Sequence, residues 1–182
     1  MSCPSPHAYR HIGETMIVHR LNLPLNNRDI SKLKPGDKVL ISGTIYTARD
    51  QAHKRLIAMI DNGEVLPFDL SQTALFYCGP SPKAEGRVCG AIGPTTSSRM
   101  DGLTLPLLEN GLKVMIGKGE RSDQICERIK AHGAVYLTAV GGISAVLSRS
   151  IVSCETFLWP ELGAEAVHIM HVVDLPCYVS VV

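Results

Sequence analysis

Hydrophobic and polar positions follow two different periods along this chain. Residues 16–25, MIVHRLNLPL, alternate as a strand that Pro24 ends or places at a sheet edge. LKPGDKVLISGTIYTA (33–48) opens on a Pro-Gly turn and runs into a β-rich segment. The period then changes. In RDQAHKRLIAMIDNG (49–63), Ala52, Leu56, Met59 and Ile60 recur at helical spacing, and Asn62-Gly63 stops the helix. TALFYCGP (73–80) and RVCGAIGP (87–94) read as short β runs, each ending in Gly-Pro. SSRMDGLTLPLLENG (97–111) reads as a helix interrupted near Pro106. LKVMIG (112–117) and AVYLTAVGG (134–142) are buried strands by composition, with the helix SDQICERIKAHG (122–133) between them. The last forty or so residues read as three strands, SRSIVSCETFLW, AEAVHIMHVV and PCYVSVV. Strand and helix alternate in the middle of the chain, which predicts an α/β class with parallel pairing there; the strand-rich ends predict a second sheet or antiparallel extensions.

Length and composition narrow the class further. A chain of 182 residues with 45% apolar content can bury a core of its own, and nothing divides it, so one domain over 15–182 is expected behind a loose arm at 1–14. A formal net charge of +1 carries no nucleic-acid footprint. No apolar run reaches membrane-spanning length and the N-terminus has no signal-peptide core, so a cytoplasmic protein is expected. The six cysteines are scattered, none closer than Cys78 and Cys89, so spacing supports no zinc, redox or cluster motif. GLKVMIGKGE approximates a phosphate loop, but Gly111 is one residue too far from Lys118 and Gly119 stands where Ser or Thr should be.

Three strand-to-helix junctions carry candidate chemistry. In GPTTSSRMDG (93–102), four hydroxyls precede Arg99. One of them can cap the helix, and the free N–H groups of a first helical turn favour an anion. The segment is either an ordinary capped helix with an exposed arginine or an anion site. Arg49-Asp50 opens the 49–63 helix with His53 on the same face; by itself that His53 reads as a half-buried surface residue and Asp50 as a first-turn acid. IGKGERS (116–122) places Lys118 between two glycines at a strand end. In a parallel sheet the C-terminal strand ends share one edge, where ligands bind. Arg49, Arg99 and Lys118 are therefore expected to converge into a pocket for a small polycarboxylate.

GTIYTARDQAHKR, GPTTSSRMD, IGKGERS and WPELGAEAVHIMHVVDLPCY, in that order, resemble the C-terminal region of class I, iron–sulfur-dependent fumarases, which is a separate β chain in two-subunit members. The resemblance spans roughly residues 15 to 182. L-tartrate dehydratase β chains share the architecture, though KGERS and GAVYLTAVGG look closer to the fumarase version. The resemblance implies a three-layer β/β/α swivelling-domain-like fold with a partly parallel central sheet, and reversible hydration of fumarate to L-malate. It implies a 4Fe–4S cluster on a partner α subunit, with none bound by this chain alone, in a hetero-oligomer; a homodimer of this chain is the other assembly expected. It assigns substrate carboxylate to Arg49 and Arg99, a further substrate contact to Lys118, proton abstraction to Thr95, and support to Asp50, His53, Thr96 and Ser97. A threonine hydroxyl is a weak base in water and needs an activating neighbour, for which Asp50 or another chain is the candidate. The other readings are an L-tartrate dehydratase β subunit, or a carboxylate-binding or interaction domain without chemistry.

Overall fold

The computed structural model describes residues 17–82, 85–139 and 144–182; the expected arm at 1–14 and the Gly-Gly end of the 134–142 segment lie outside them. In chain order the strands are β1 (Val18–Asn22), β2 (Lys38–Thr47), β3 (Ala74–Phe76), β4 (Val114–Gly117), β5 (Val135–Ala139), β6 (Ile151–Leu158) and β7 (Val167–Val181). The helices are α1 (Asn27–Ile30), α2 (Asp50–Asp61), α3 (Asp101–Glu109), α4 (Asp123–Ala131) and α5 (Ser144–Arg149). One mixed sheet runs β1-β2-β3-β4-β5-β7-β6, and β7 pairs with β2 as well, so β2, β3, β4, β5 and β7 close a barrel-like ring. β1 through β5 are mutually parallel, as their alternation with helices predicts, and β7 is antiparallel to β2, β5 and β6.

Strand periodicity divides the core in two. Ala74 and Phe76, Val114 and Ile116, Val135 and Leu137, and Leu175 and Cys177 point into the ring. The alternate residues Leu75, Tyr77, Met115 and Tyr136 point outward, where Leu56, Leu107, Leu108 and Ile129 of the helices cover them. Because side chains alternate with period two, a one-residue slip would exchange both sets, and burial on both faces fixes the register.

Several boundaries differ from the sequence expectation. Residues 87–94 form no strand; they fold back on 81, with Ser81 N–H donating to the Ala91 carbonyl and Ala91 N–H to Ser81 Oγ. The 97–111 helix is not interrupted at Pro106. It runs unbroken from Asp101 to Glu109, and the irregular part is the 3₁₀ turn before it, Ser97–Met100. The two expected strands 164–173 and 176–182 are a single strand, β7. Asp174 takes a left-handed conformation (φ 51°) that lets the chain kink without ending, a conformation a short polar side chain tolerates.

Candidate functional site

The parallel strands deliver their C-terminal ends to one edge, where Arg49 follows β2 and Lys118 follows β4; the Arg99 segment, expected to follow a strand, follows none and is held to that edge by its contacts with the other two. Arg49 is the residue before α2, and α2 receives its N-terminal cap from far along the chain: Glu165 Oε2 accepts the Gln51 N–H at 2.8 Å. The other oxygen of that carboxylate lies 3.5 Å from the Arg49 guanidinium. Arg49 Nε is buried and has no hydrogen-bond partner among the described residues. Asp50, the first residue of α2, is more than the expected first-turn acid, because its Oδ2 receives Nη2 of Arg99 at 2.7 Å. That pair ties the second junction to the first.

The second and third junctions are joined by backbone. Thr96 and Lys118 form a parallel bridge, Ser97 N–H donates to the Lys118 carbonyl at 2.9 Å, and Lys118 N–H donates to Ser97 Oγ at 3.0 Å. Arg99 and Lys118 are themselves exposed, while Ser97 is fully buried. The expected capping role of the hydroxyls does not hold: neither the 3₁₀ turn nor α3 has a side-chain cap, and Ser97 binds the third junction instead. Thr95 N–H is fixed to the Tyr77 carbonyl at 2.6 Å, and its half-buried side chain stands at the start of the turn. Asp50, expected as a possible activator of Thr95, has its carboxylate bound to Arg99.

His53 is fully buried, not half-buried as its sequence context suggests. Its Nδ1 lies 2.9 Å from the Arg49 carbonyl. A carbonyl only accepts, so Nδ1 carries the proton and Nε2 presents a buried lone pair without a partner. Burial pushes its pKa down to about 4, against about 6.5 when exposed. The unfolded chain therefore binds a proton that the folded chain refuses. Stability is intact above pH 6.5 and falls as pH drops toward 4, by about 3 kcal/mol. Urea unfolding across that window should show a markedly smaller loss in His53→Gln than in the wild type, the remainder coming from His168, whose pKa burial also lowers.

Sequence reasoning missed Tyr77, Arg121, Tyr136 and Glu165. Arg121, inside the quoted IGKGERS, is a buried cation. Tyr136 was read as strand core, and its polar tip was the signal to follow, because a buried tyrosine hydroxyl needs a partner. An open groove of about 420 Å³ lies beyond Gly79, lined by Pro80, Cys89, Cys154, Pro160, Ala164 and His168 among others, and Arg49, Arg99 and Lys118 do not line it. Among the described residues no three His, Cys, Asp or Glu side chains converge as a metal site. Burial pushes the Cys177 thiol up to about 12 and that of Cys78 well above its ordinary value, which keeps both protonated. Among the described residues, the buried thiols of Cys78 and Cys177 are therefore not set up as metal-binding thiolates.

Fold and site together define a mixed α/β domain that carries arginine and lysine on the C-terminal edge of its parallel strands. The family Fumarase C-terminus matches residues 4–182, and the chain belongs to that family. It is 38% identical over 181 residues to the aerobic class I fumarate hydratase of Escherichia coli K12, covering 97% of this chain and 33% of that protein. It is 36% identical over 175 residues to fumarate hydratase 2 of Leishmania major, covering 94% of this chain and 31% of that protein. It is also 38% identical over 143 residues to a putative L(+)-tartrate dehydratase subunit beta of Methanocaldococcus jannaschii, covering 76% and 73%. The chain thus spans about a third of the fumarate hydratases it matches and most of that beta subunit. No helix among the described residues is long and apolar enough to cross a membrane.

Proposed function

We propose that this chain is the beta-type component of a hydro-lyase that interconverts fumarate and L-malate, completed by a partner chain or domain that carries the iron–sulfur cluster. The observation that carries this reading is the joining of the three cationic junctions at one strand edge through Arg99–Asp50 and Ser97–Lys118. Arg49 and Arg99 bind substrate carboxylates there, each offering a planar fork of N–H donors. Removing a proton next to a carboxylate builds negative charge on that carboxylate, and fixed guanidinium and ammonium groups stabilise it. Thr95, which precedes the Thr96–Lys118 bridge, is the proton-handling residue, with its activation supplied by the partner. The longer match to the fumarate hydratase, 181 residues against 143 at the same 38% identity, favours fumarate, and the high coverage of a beta subunit favours a separate partner chain. The swivelling β/β/α arrangement accompanies this reading, supported by a helical layer outside the parallel strands and β6–β7 across the ring.

The test is anaerobic co-production with an alpha-type chain, followed by assay of fumarate hydration and L-tartrate dehydration. Malate formation is expected. An iron-loaded complex that dehydrates tartrate and leaves fumarate untouched moves the assignment to the tartrate branch. One inactive on both sinks it.

A further inference from the structure

Beneath the 95–101 segment lies a buried polar cluster built around Arg121, whose side chain is fully enclosed. Its Nε donates to Asp101 Oδ1, its Nη2 to Thr104 Oγ1 and its Nη1 to the Tyr77 hydroxyl at 3.4 Å. The guanidinium stands 5.5 Å from the Tyr77 ring centroid and 5.2 Å from that of Tyr136. A buried ion pair is a poor way to stabilise a core, because desolvation costs several kcal/mol per ion and an apolar side chain of similar volume does as well or better. What the cation provides here is connection. Its partners come from the end of β3, from α3 and from β5.

Three of those residues, Tyr77, Asp101 and Tyr136, also touch the segments that carry the candidate site. The Tyr77 carbonyl receives Thr95 N–H. Asp101 lies two residues past Arg99, and its Oδ2 accepts the Ser122 N–H at 2.8 Å. The Tyr136 hydroxyl lies 2.7 Å from the Gly119 carbonyl and 2.9 Å from Ser97 Oγ. The carbonyl can only accept, so the tyrosine proton goes to Gly119 and the Ser97 hydroxyl donates to Tyr136. Ser97 Oγ is then free to accept Lys118 N–H.

We infer that Arg121 is a positioning residue: through Tyr77, Asp101 and Tyr136 it fixes how Thr95, Arg99 and Lys118 are presented together at the strand edge. The identity of the ligand rests on the proposed hydro-lyase reading; the positioning does not. Lysine cannot replace the planar fork that reaches three partners at once.

The test uses Arg121→Lys and the milder Tyr136→Phe, which deletes one hydroxyl and keeps the ring. Amide hydrogen exchange is read residue by residue on the full chain, and kcat and KM on the complex with its alpha-type partner. In both variants the amides of Thr95, Ser97, Lys118 and Ser122 should exchange at least about tenfold faster while the β2–β7 ladder stays within about twofold, a local opening. In the active complex kcat/KM should fall by about tenfold or more. A uniform acceleration across all amides, or no change at 95–122 in either variant, overturns the inference and makes Arg121 an ordinary core residue. Local acceleration in a complex whose wild type hydrates no fumarate upholds the positioning and removes the hydratase reading. Uniform acceleration with an active wild type does the reverse.

Discussion

Arg99→Ala, measured in the complex with an alpha-type partner, is expected to lower kcat/KM for fumarate by roughly 10²–10³. In the free chain Arg99 is half exposed and its Nη2 is engaged by Asp50. The pair leaves the remaining N–H groups of the guanidinium available to a substrate carboxylate while holding the plane of the fork in place. Truncation removes both the charge and the fork. Arg99→Lys keeps the charge as a point, so it should recover only part of the loss; a near-normal Arg99→Lys enzyme would exclude two-pronged carboxylate binding. Asp50→Asn separates anchoring from binding. It leaves the guanidinium in place but weakens its tether, and a smaller loss, on the order of tenfold and seen mainly in KM, is expected. Equal losses in Arg99→Ala and Asp50→Asn would mean that the ion pair, not the free face of the arginine, is what the reaction uses.

The parallel strands and the helices that cover them were legible because each satisfies a local period that burial then enforces. Leu56 in α2 and Ile125 and Ile129 in α4 fall on the faces their spacing predicts. Three of the misses come from partners outside the local segment. Residues 87–94 have strand composition, yet Gly90 lies so close to Ser81 that an added Cβ would stand 1.9 Å from its carbonyl oxygen, and the segment turns back instead of joining a ladder. The sequence divides 164–182 into two strands, but β7 pairs with β2 on both sides of the kink at Asp174, which carries the strand through. Helix α2 opens on Asp50 as a first-turn acid, while its cap comes from Glu165, more than a hundred residues on.

The same holds at the site. That Arg49 and Lys118 follow strand ends on one edge was legible because topology alone decides it, whereas Arg99 follows no strand and reaches that edge through Asp50 and the Thr96–Lys118 bridge. The division of labour among the hydroxyls was not. Four adjacent hydroxyls look interchangeable in sequence, and only the third dimension shows Ser97 enclosed between β4 and Tyr136 while Thr96 faces solvent. Arg121 was hidden for a related reason: a charged residue beside Glu120 and Ser122 reads as a solvated loop until Asp101, Thr104 and the two tyrosine rings close over it.

Gly117→Ala should be the most damaging small substitution in this region. The new methyl would stand 1.9 Å from Ser97 Oγ and 2.9 Å from Tyr77 Cδ2. Neither neighbour can step aside. Ser97 Oγ is tied to Lys118 N–H and to Tyr136, and the Tyr77 ring is fully buried under Arg121. Overpacking of a tight site together with the loss of buried hydrogen bonds predicts a cost of about 2–4 kcal/mol. Ser97→Gly alone should cost about 2 kcal/mol, since it leaves Lys118 N–H without its acceptor. Combined, the two should cost at least about 1 kcal/mol less than their sum, because removing the serine side chain empties the space the methyl needs. Urea unfolding of the two single variants and the double variant measures this coupling. Strict additivity would show that position 117 tolerates a side chain by moving its own strand, and that Ser97 is not what holds the 93–102 segment against β4.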